Sequence, residues 1–263
     1  MKALYEQNDQ EKVGLVTLNR PEKNNSMNQE MFDDFRRIVD EKLTGNKNIN
    51  TIIVTGKGDS FCSGADLAEF LKLDNRDYME KFLEGGRYFM NYLTKAPQFV
   101  IAAVNGPALG GGLEIALAAD YVVAMDSDKP ILGQLEMNFG LMPGSGATQR
   151  LPLRTGLAIA KKMIMSGERI TPGQALAFKV VDELSNDPLQ RALELSRQFK
   201  SKQLFSLGKA KEAIQTPYAR DFGEETRFFF ECLQRDETQN IIKAFFSRSG
   251  RLPGGEHRQS HDL

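Results

Sequence analysis

Histidine is almost absent from this chain: only His257 and His261 occur, both in a polar tail. A histidine-based triad or a histidine-rich metal site in the main body is therefore excluded. Acid–base chemistry there is left to carboxylates, lysine, tyrosine or cysteine. Cysteine is scarce too. Cys62 and Cys232 lie far apart, and no short-spaced metal-ligand pattern accompanies them, so two buried, reduced thiols are expected rather than a disulfide framework. Neither charge sign dominates, with 34 Lys plus Arg against 35 Asp plus Glu and a formal net charge of -1. Nothing in that balance favours general nucleic-acid binding. No apolar run reaches membrane-span length, because Glu114 interrupts the longest candidate around residues 108–119. Residues 1–14 hold no apolar leader core, so a cytoplasmic protein is expected.

At 263 residues with 41% hydrophobic side chains, the chain can bury a proper core without disulfides or a structural metal. Strands are expected at Val13–Leu18, Thr51–Thr55, Phe99–Val104, Tyr121–Met125 and Phe178–Val181, from short β-branched or apolar runs closed by turn residues. Met27, Met31, Phe35, Ile38 and Val39 recur on a helical period and predict a helix over Asn28–Leu43. A helical stretch opens at Leu67–Leu73, with Gly85-Gly86 expected to interrupt the segment that follows. Short helices are expected at Thr148–Leu153 and Leu157–Ser166. From Pro188 the pattern is helical throughout, at Leu189–Phe199, Leu204–Ile214 and Phe222–Phe246. Strands alternating with helices and then a helical third describe an α/β core with a helical appendage.

Two segments share one plan. Thr51–Thr55 runs into GKGDSFCSGADLAEF, and Phe99–Val104 runs into NGPALGGGLEIALAAD. In each, a buried strand meets glycines and then the start of a helix, the place where open α/β sheets bind ligands. Helix starts carry N–H groups without intrahelical partners. Gly64-Ala65-Asp66 and Gly110-Gly111-Gly112 could each present one such group to a single oxygen, as in an oxyanion hole. Both are also compatible with ordinary tight turns. Neither is a nucleotide fingerprint, since the GxGxxG and GxxxxGK[ST] spacings are missing.

Glu114 follows the triplet in a helix that is otherwise apolar up to Asp120. Such a helix is buried, and a buried carboxylate needs either a structural partner or a function. Glu136 lies in ILGQLEMNFGLMPGSG, where a surface acid would be unremarkable. Together they are more telling. Without histidine, two carboxylates are the natural way to divide water activation from proton delivery. Asp66 is read as a helix cap and Asp120 as a backbone or arginine partner. Ser145 has no visible base and stands in no GxSxG elbow, and Cys62 has no histidine beside it.

At these residues the sequence resembles the crotonase, or enoyl-CoA hydratase/isomerase, superfamily. The resemblance spans Val13 to Phe246 and rests on LNRPEKNNSMN, TGKGDSFCSGADLAEF, FVIAAVNGPALGGGLEIALAAD, GQLEMNFGLMPGSGATQRLP and SGERITPGQALAFKVVDEL in the family's order. It implies an α/β fold with a crotonase-like ββα spiral core over residues 1–190 and a helical C-terminal region over 191–249. The Gly-, Pro- and polar-rich stretch 250–263 is expected to be a loose tail. It further implies a homotrimer or dimer of trimers. An acyl-CoA substrate would lie between core and C-terminal helices, with no metal and no cofactor beyond the coenzyme A of the substrate. The family's thioester-holding amides fall on Ala65 and Gly111, and its two catalytic glutamates on Glu114 and Glu136. Glu114 would activate water and Glu136 deliver the α proton. Contacts to coenzyme A would come from Ala65, Asp66 and Leu67, with Lys23 near the phosphates.

Three departures bear on the site. Leu135 stands where the family usually has proline, GSGATQR replaces GAGGTQR, and the interval from Glu114 to Glu136 is about two residues longer, the extra length falling in Met125–Pro130. Retention of both glutamates implies a 2-enoyl-CoA hydratase of fatty-acid or amino-acid breakdown. The alternatives are an isomerase, a dehydratase of carrier-bound acyl groups, or a catalytically silent protein of assembly.

Overall fold

A computed structural model describes residues 1–72 and 76–215, together with 231, 235–238 and 240. The chain divides into two compact units, Met1–Lys202 and Gln203–Leu263. In chain order the elements of the first are β1 (Ala3–Asn8), β2 (Val13–Leu18), α1 (Gln29–Ile38), β3 (Thr51–Gly56), α2 (Arg76–Lys95), β4 (Phe99–Val104), β5 (Ala108–Leu109), α3 (Gly111–Leu117), β6 (Tyr121–Met125), β7 (Leu132–Gly133), α4 (Ala147–Thr155), α5 (Leu157–Ser166), β8 (Arg169–Ile170), α6 (Pro172–Ala177), β9 (Glu183–Ser185) and α7 (Pro188–Ser196). The second unit holds α8 (Leu204–Gln215), where the Arg235 guanidinium lies 4.2 Å from the centre of the Phe205 ring. Most of the helix expected at Phe222–Phe246, and all of the tail 250–263, lies outside the described residues. No described helix is long and apolar enough to cross a membrane.

Six strands form the main sheet in the order β1-β2-β3-β4-β6-β9, parallel except for the β1–β2 hairpin. Alternation along the central strands explains how both faces are covered. Ile52 and Val54 of β3, with Val100, Ala102 and Val104 of β4, join the large core that also takes in Phe35, Phe89 and Leu113. Ile53, Ile101, Ala103 and Val123 point the other way, against Ala192, Leu189 and Leu193 of α7. A side chain such as Phe35, fully buried and stacked on Phe89 with ring centres 3.9 Å apart, contributes about 2–3 kcal/mol by leaving water.

Two expectations are corrected. Gly85-Gly86 does not interrupt α2, which runs unbroken. A side chain at Gly85 would lie 2.8 Å from the Phe32 Cβ, so the glycines let α2 approach α1 closely. Phe178–Val181 is not a strand. It turns after α6 through Lys179 at φ 65, with the amides of Val180 and Val181 both donating to the Ala175 carbonyl. The strand comes next, at β9. Sequence reading also missed β1, α6 and the two-residue strands β5, β7 and β8. The small sheet β5-β7-β8 is too short for any period to register, yet it positions the site.

Candidate active site

Parallel register brings β3 and β4 to an end at one edge, with Thr55 opposite Ala103. Asn105, just past β4, ties the two exits together. Its oxygen accepts from the Gly56 amide at 3.0 Å and its nitrogen donates to the Gly58 carbonyl at 2.7 Å. Further on, the Cys62 amide donates to Pro107 and the Leu109 amide to Cys62, each at 3.0 Å. The two glycine turns are thus laced side by side. Cys62 itself is sealed in, and burial pushes its thiol up to about 12, so it is an inert packing residue.

Lacing leaves two amides over. The Met27 amide donates to the Gly64 carbonyl and the Asp66 amide to Met27, each at 2.8 Å, which skips the Ala65 N–H. Gly111 opens α3, where no intrahelical acceptor exists for its N–H. Among the described residues neither amide has an acceptor. They are close: a methyl group at Gly111 would sit 3.7 Å from the Ala65 nitrogen and 3.9 Å from the Glu114 Oε2. Gly110 turns the chain between them at φ 52 and ψ -124, a conformation that suits only glycine.

Glu114 is 3% exposed. Its Oε1 accepts from the amides of Ser145 at 2.8 Å and Ala147 at 3.0 Å, and its Oε2 is left toward Gly111. Burial raises its pKa above the ordinary carboxylate value, opposed by these amides and by the nearby Arg150 charge. Glu136 arrives by a different route. β7 pairs with β5, and the Gly110 amide donates to Gly133 at 2.8 Å. Residues 126–131 form the connection before β7, so β7 sets where Glu136 emerges. Its Oε1 would lie 3.0 Å from a methyl group at Gly110. The two carboxyls therefore flank adjacent residues of one turn. Burial first, then the charge of Glu114, push Glu136 up to about 7, against a backbone hydrogen bond that lowers it. Gln134 is fully buried beside it. With its nitrogen toward the carboxylate, it donates to the two oxygens at 3.1 and 3.0 Å; turned over, its amide oxygen can accept from the protonated acid.

Ala65, Leu67, Gly111, Glu114 and Glu136 all line one cleft of about 1040 Å³, whose apolar wall includes Phe70, Phe82 and Leu83. Asp66 does not line it. Its carboxylate accepts from Arg20 at 2.7 Å and from the Ala68 amide at 3.1 Å, the capping contact expected of it. Desolvation opposes its ionised form, but these bonds hold it below the usual range. Lys23 is exposed and also lies off the cleft wall. Sequence reasoning missed Gln134, Arg87, Arg150 and the Ser145–Ala147 amides. Only the unusual GSG turn hinted at the last of these, because a backbone donor leaves no mark in side-chain identity. No group of three His, Cys, Asp or Glu among the described residues could hold a metal ion.

Raised acidity constants have a thermodynamic consequence. Unfolded, Glu136 ionises near its ordinary 4.5; folded, near 7. Between those values the unfolded chain binds fewer protons, so stability falls as pH rises through the window. Glu136→Gln removes the ionisation. Discounted for partial solvent contact, the variant should exceed the parent by about 1–2 kcal/mol at about pH 8. That gain should disappear at about pH 4.5, as urea melts at the two pH values would report.

A protein-family model described as enoyl-CoA hydratase/isomerase matches residues 8–248. Over 242 residues the chain is 35% identical to YngF of Bacillus subtilis, covering 89% of this chain and 92% of that one. It is 30% identical to a short-chain-enoyl-CoA hydratase of Clostridium acetobutylicum, over 90% of this chain and 92% of the other. The crystal structure of an enoyl-CoA hydratase from Bacillus anthracis superposes with a TM-score of 0.85 at 28% identity, covering 97% and 98% of the two chains.

Proposed function

Because the chain belongs to the enoyl-CoA hydratase/isomerase family, with its crotonase-type fold and its chemistry on acyl-CoA thioesters, we propose that it is a hydratase. It adds water across the 2,3 double bond of an enoyl-CoA to give the 3-hydroxyacyl-CoA. The observation that carries this reading is the pair of carboxyls set on either side of Gly110-Gly111, beside two unengaged amides.

In this mechanism the Ala65 and Gly111 N–H groups hold the thioester oxygen and stabilise negative charge as it develops there. Glu114, anchored through Oε1, takes a proton from water with Oε2. The water oxygen bonds to the β-carbon, the π electrons move toward the thioester oxygen, and Glu136 gives its proton to the α-carbon. Exchange with solvent resets both acids. The environments suit the division of labour. Desolvation raises both acids, but at Glu114 it is opposed by the amides of residues 145–147 and the Arg150 charge, whereas at Glu136 the charge of Glu114 adds to it. Backbone at Ala65–Leu67 would meet the coenzyme A, with Lys23 near its phosphates, and the working assembly would be a homotrimer or dimer of trimers.

A spectrophotometric screen of trans-2-enoyl-CoA and 3-hydroxyacyl-CoA thioesters of varied length and branching tests the reading. Hydration removes the conjugated chromophore; a moved double bond without added water would favour isomerisation. Since Glu136 acts as an acid, the active fraction falls as it ionises. The alkaline limb of kcat/KM should therefore lie near pH 7 and should be absent from the residual activity of Glu136→Gln.

A further inference from the structure

The Glu114 anchor has a second layer that the proposed reaction does not itself require. Gly146, at φ 118, curls residues 145–147 so that successive N–H groups converge on one carboxylate, an anion nest. The Ser145 and Ala147 amides donate to Glu114 at 2.8 and 3.0 Å, and the Gly146 amide between them faces the same group. The Ser145 and Gly146 N–H groups belong to peptides whose carbonyls point away, and each of those two carbonyls meets an arginine side chain. Arg87 of α2 donates through Nε to the Gly144 carbonyl at 2.9 Å, the far end of the peptide that carries the Ser145 N–H. Arg150 of α4 donates through Nη1 to the Ser145 carbonyl at 2.8 Å, the far end of the peptide that carries the Gly146 N–H. Arg150 is oriented in turn by the Asn91 side chain at 3.3 Å.

A cation at the carbonyl end of a peptide strengthens the hydrogen bond made by its N–H end. We propose that Arg87 and Arg150 are positioning residues that back two of the three peptide groups facing Glu114, and so hold that side chain as an oriented, ionised base. The inference rests on the reading of Glu114 as the base of hydration. Charged side chains lining the same cleft are Glu136, Arg87, Arg150 and Arg169. Arg150 also acts on Glu114 directly through its charge, whereas Glu136 repels it. Arg87 is exposed and Arg150 half-buried, so screening by solvent makes Arg87 the weaker of the two.

The test is the pH profile of kcat/KM for enoyl-CoA hydration by Arg150→Gln, Arg150→Lys, Arg87→Gln and the double glutamine variant. Removing a cation that favours ionised Glu114 raises its pKa, so the acid limb must move to higher pH. We expect a shift of about one unit in Arg150→Gln, less in Arg87→Gln and more in the double variant. At the optimum, kcat should fall about tenfold in Arg150→Gln with KM within about twofold. Arg150→Lys should restore the limb. If Arg150→Gln fails to fold, Arg87→Gln, altered only at an exposed side chain, must still show its shift. An unmoved limb in folded variants, with Glu114→Gln inactive, overturns this inference alone. A fully active Glu114→Gln overturns the hydratase reading with it.

Discussion

Glu114→Gln is expected to lower kcat for enoyl-CoA hydration by about 10²–10⁴, the usual cost of losing a positioned general base, while KM stays within a few-fold. The substitution keeps shape and volume. A glutamine oxygen can still accept from the Ser145 and Ala147 amides at the place of Oε1, and its nitrogen then occupies the place of Oε2 beside Gly111. What disappears is an atom able to take a proton from water. In the proposed mechanism the substrate is held through the Ala65 and Gly111 amides and not through that atom, so the loss should fall on kcat. Retention of the parent rate would remove Glu114 from the chemistry.

Gly110→Ala is expected to cost about 10²–10³ in kcat, the range for losing one oxyanion donor, together with a lower Tm. The residue stands at φ 52 and ψ -124, where an L side chain is strained by about 1–3 kcal/mol. Its methyl group would also lie 3.0 Å from the Glu136 Oε1. Relief of either strain turns the peptide that carries the Gly111 N–H, or moves Glu136, or both. Gly111→Ala is the informative contrast: its methyl would press on the flexible end of Met27 at 2.5 Å and stand 3.7 Å from the Ala65 nitrogen and 3.9 Å from the Glu114 Oε2, without the dihedral strain of Gly110. A folded Gly110→Ala enzyme with a parental kcat would contradict the role given to this turn.

Much of this arrangement is legible in the sequence. Buried β3 and β4 announce themselves as unbroken apolar runs, and Glu114 stands out because its helix has no polar face to excuse it. Glu136 was harder. Its loop has no period, and its placement depends on β7, two residues long, pairing with β5. Gln134 looks like any loop glutamine until its burial beside a carboxyl is seen. The nest at 145–147 works through amides, and Arg87 reaches it from 57 positions earlier in the chain. Tertiary geometry of that kind leaves no local pattern. Gly85-Gly86 misled for the opposite reason: a strong local breaker signal was overridden by close packing of α2 on Phe32.

The claim that the two carboxyls act together in one addition of water, Glu114 on the water and Glu136 on the α-carbon, is tested most directly by comparing Glu114→Gln, Glu136→Gln and the variant carrying both. Groups acting as a unit lose most of their effect with the first substitution. Each single variant should therefore fall by at least about 100-fold, and the pair should fall no more than about tenfold further. Losses that multiply in the double variant, or parental rates in both single variants, would contradict it.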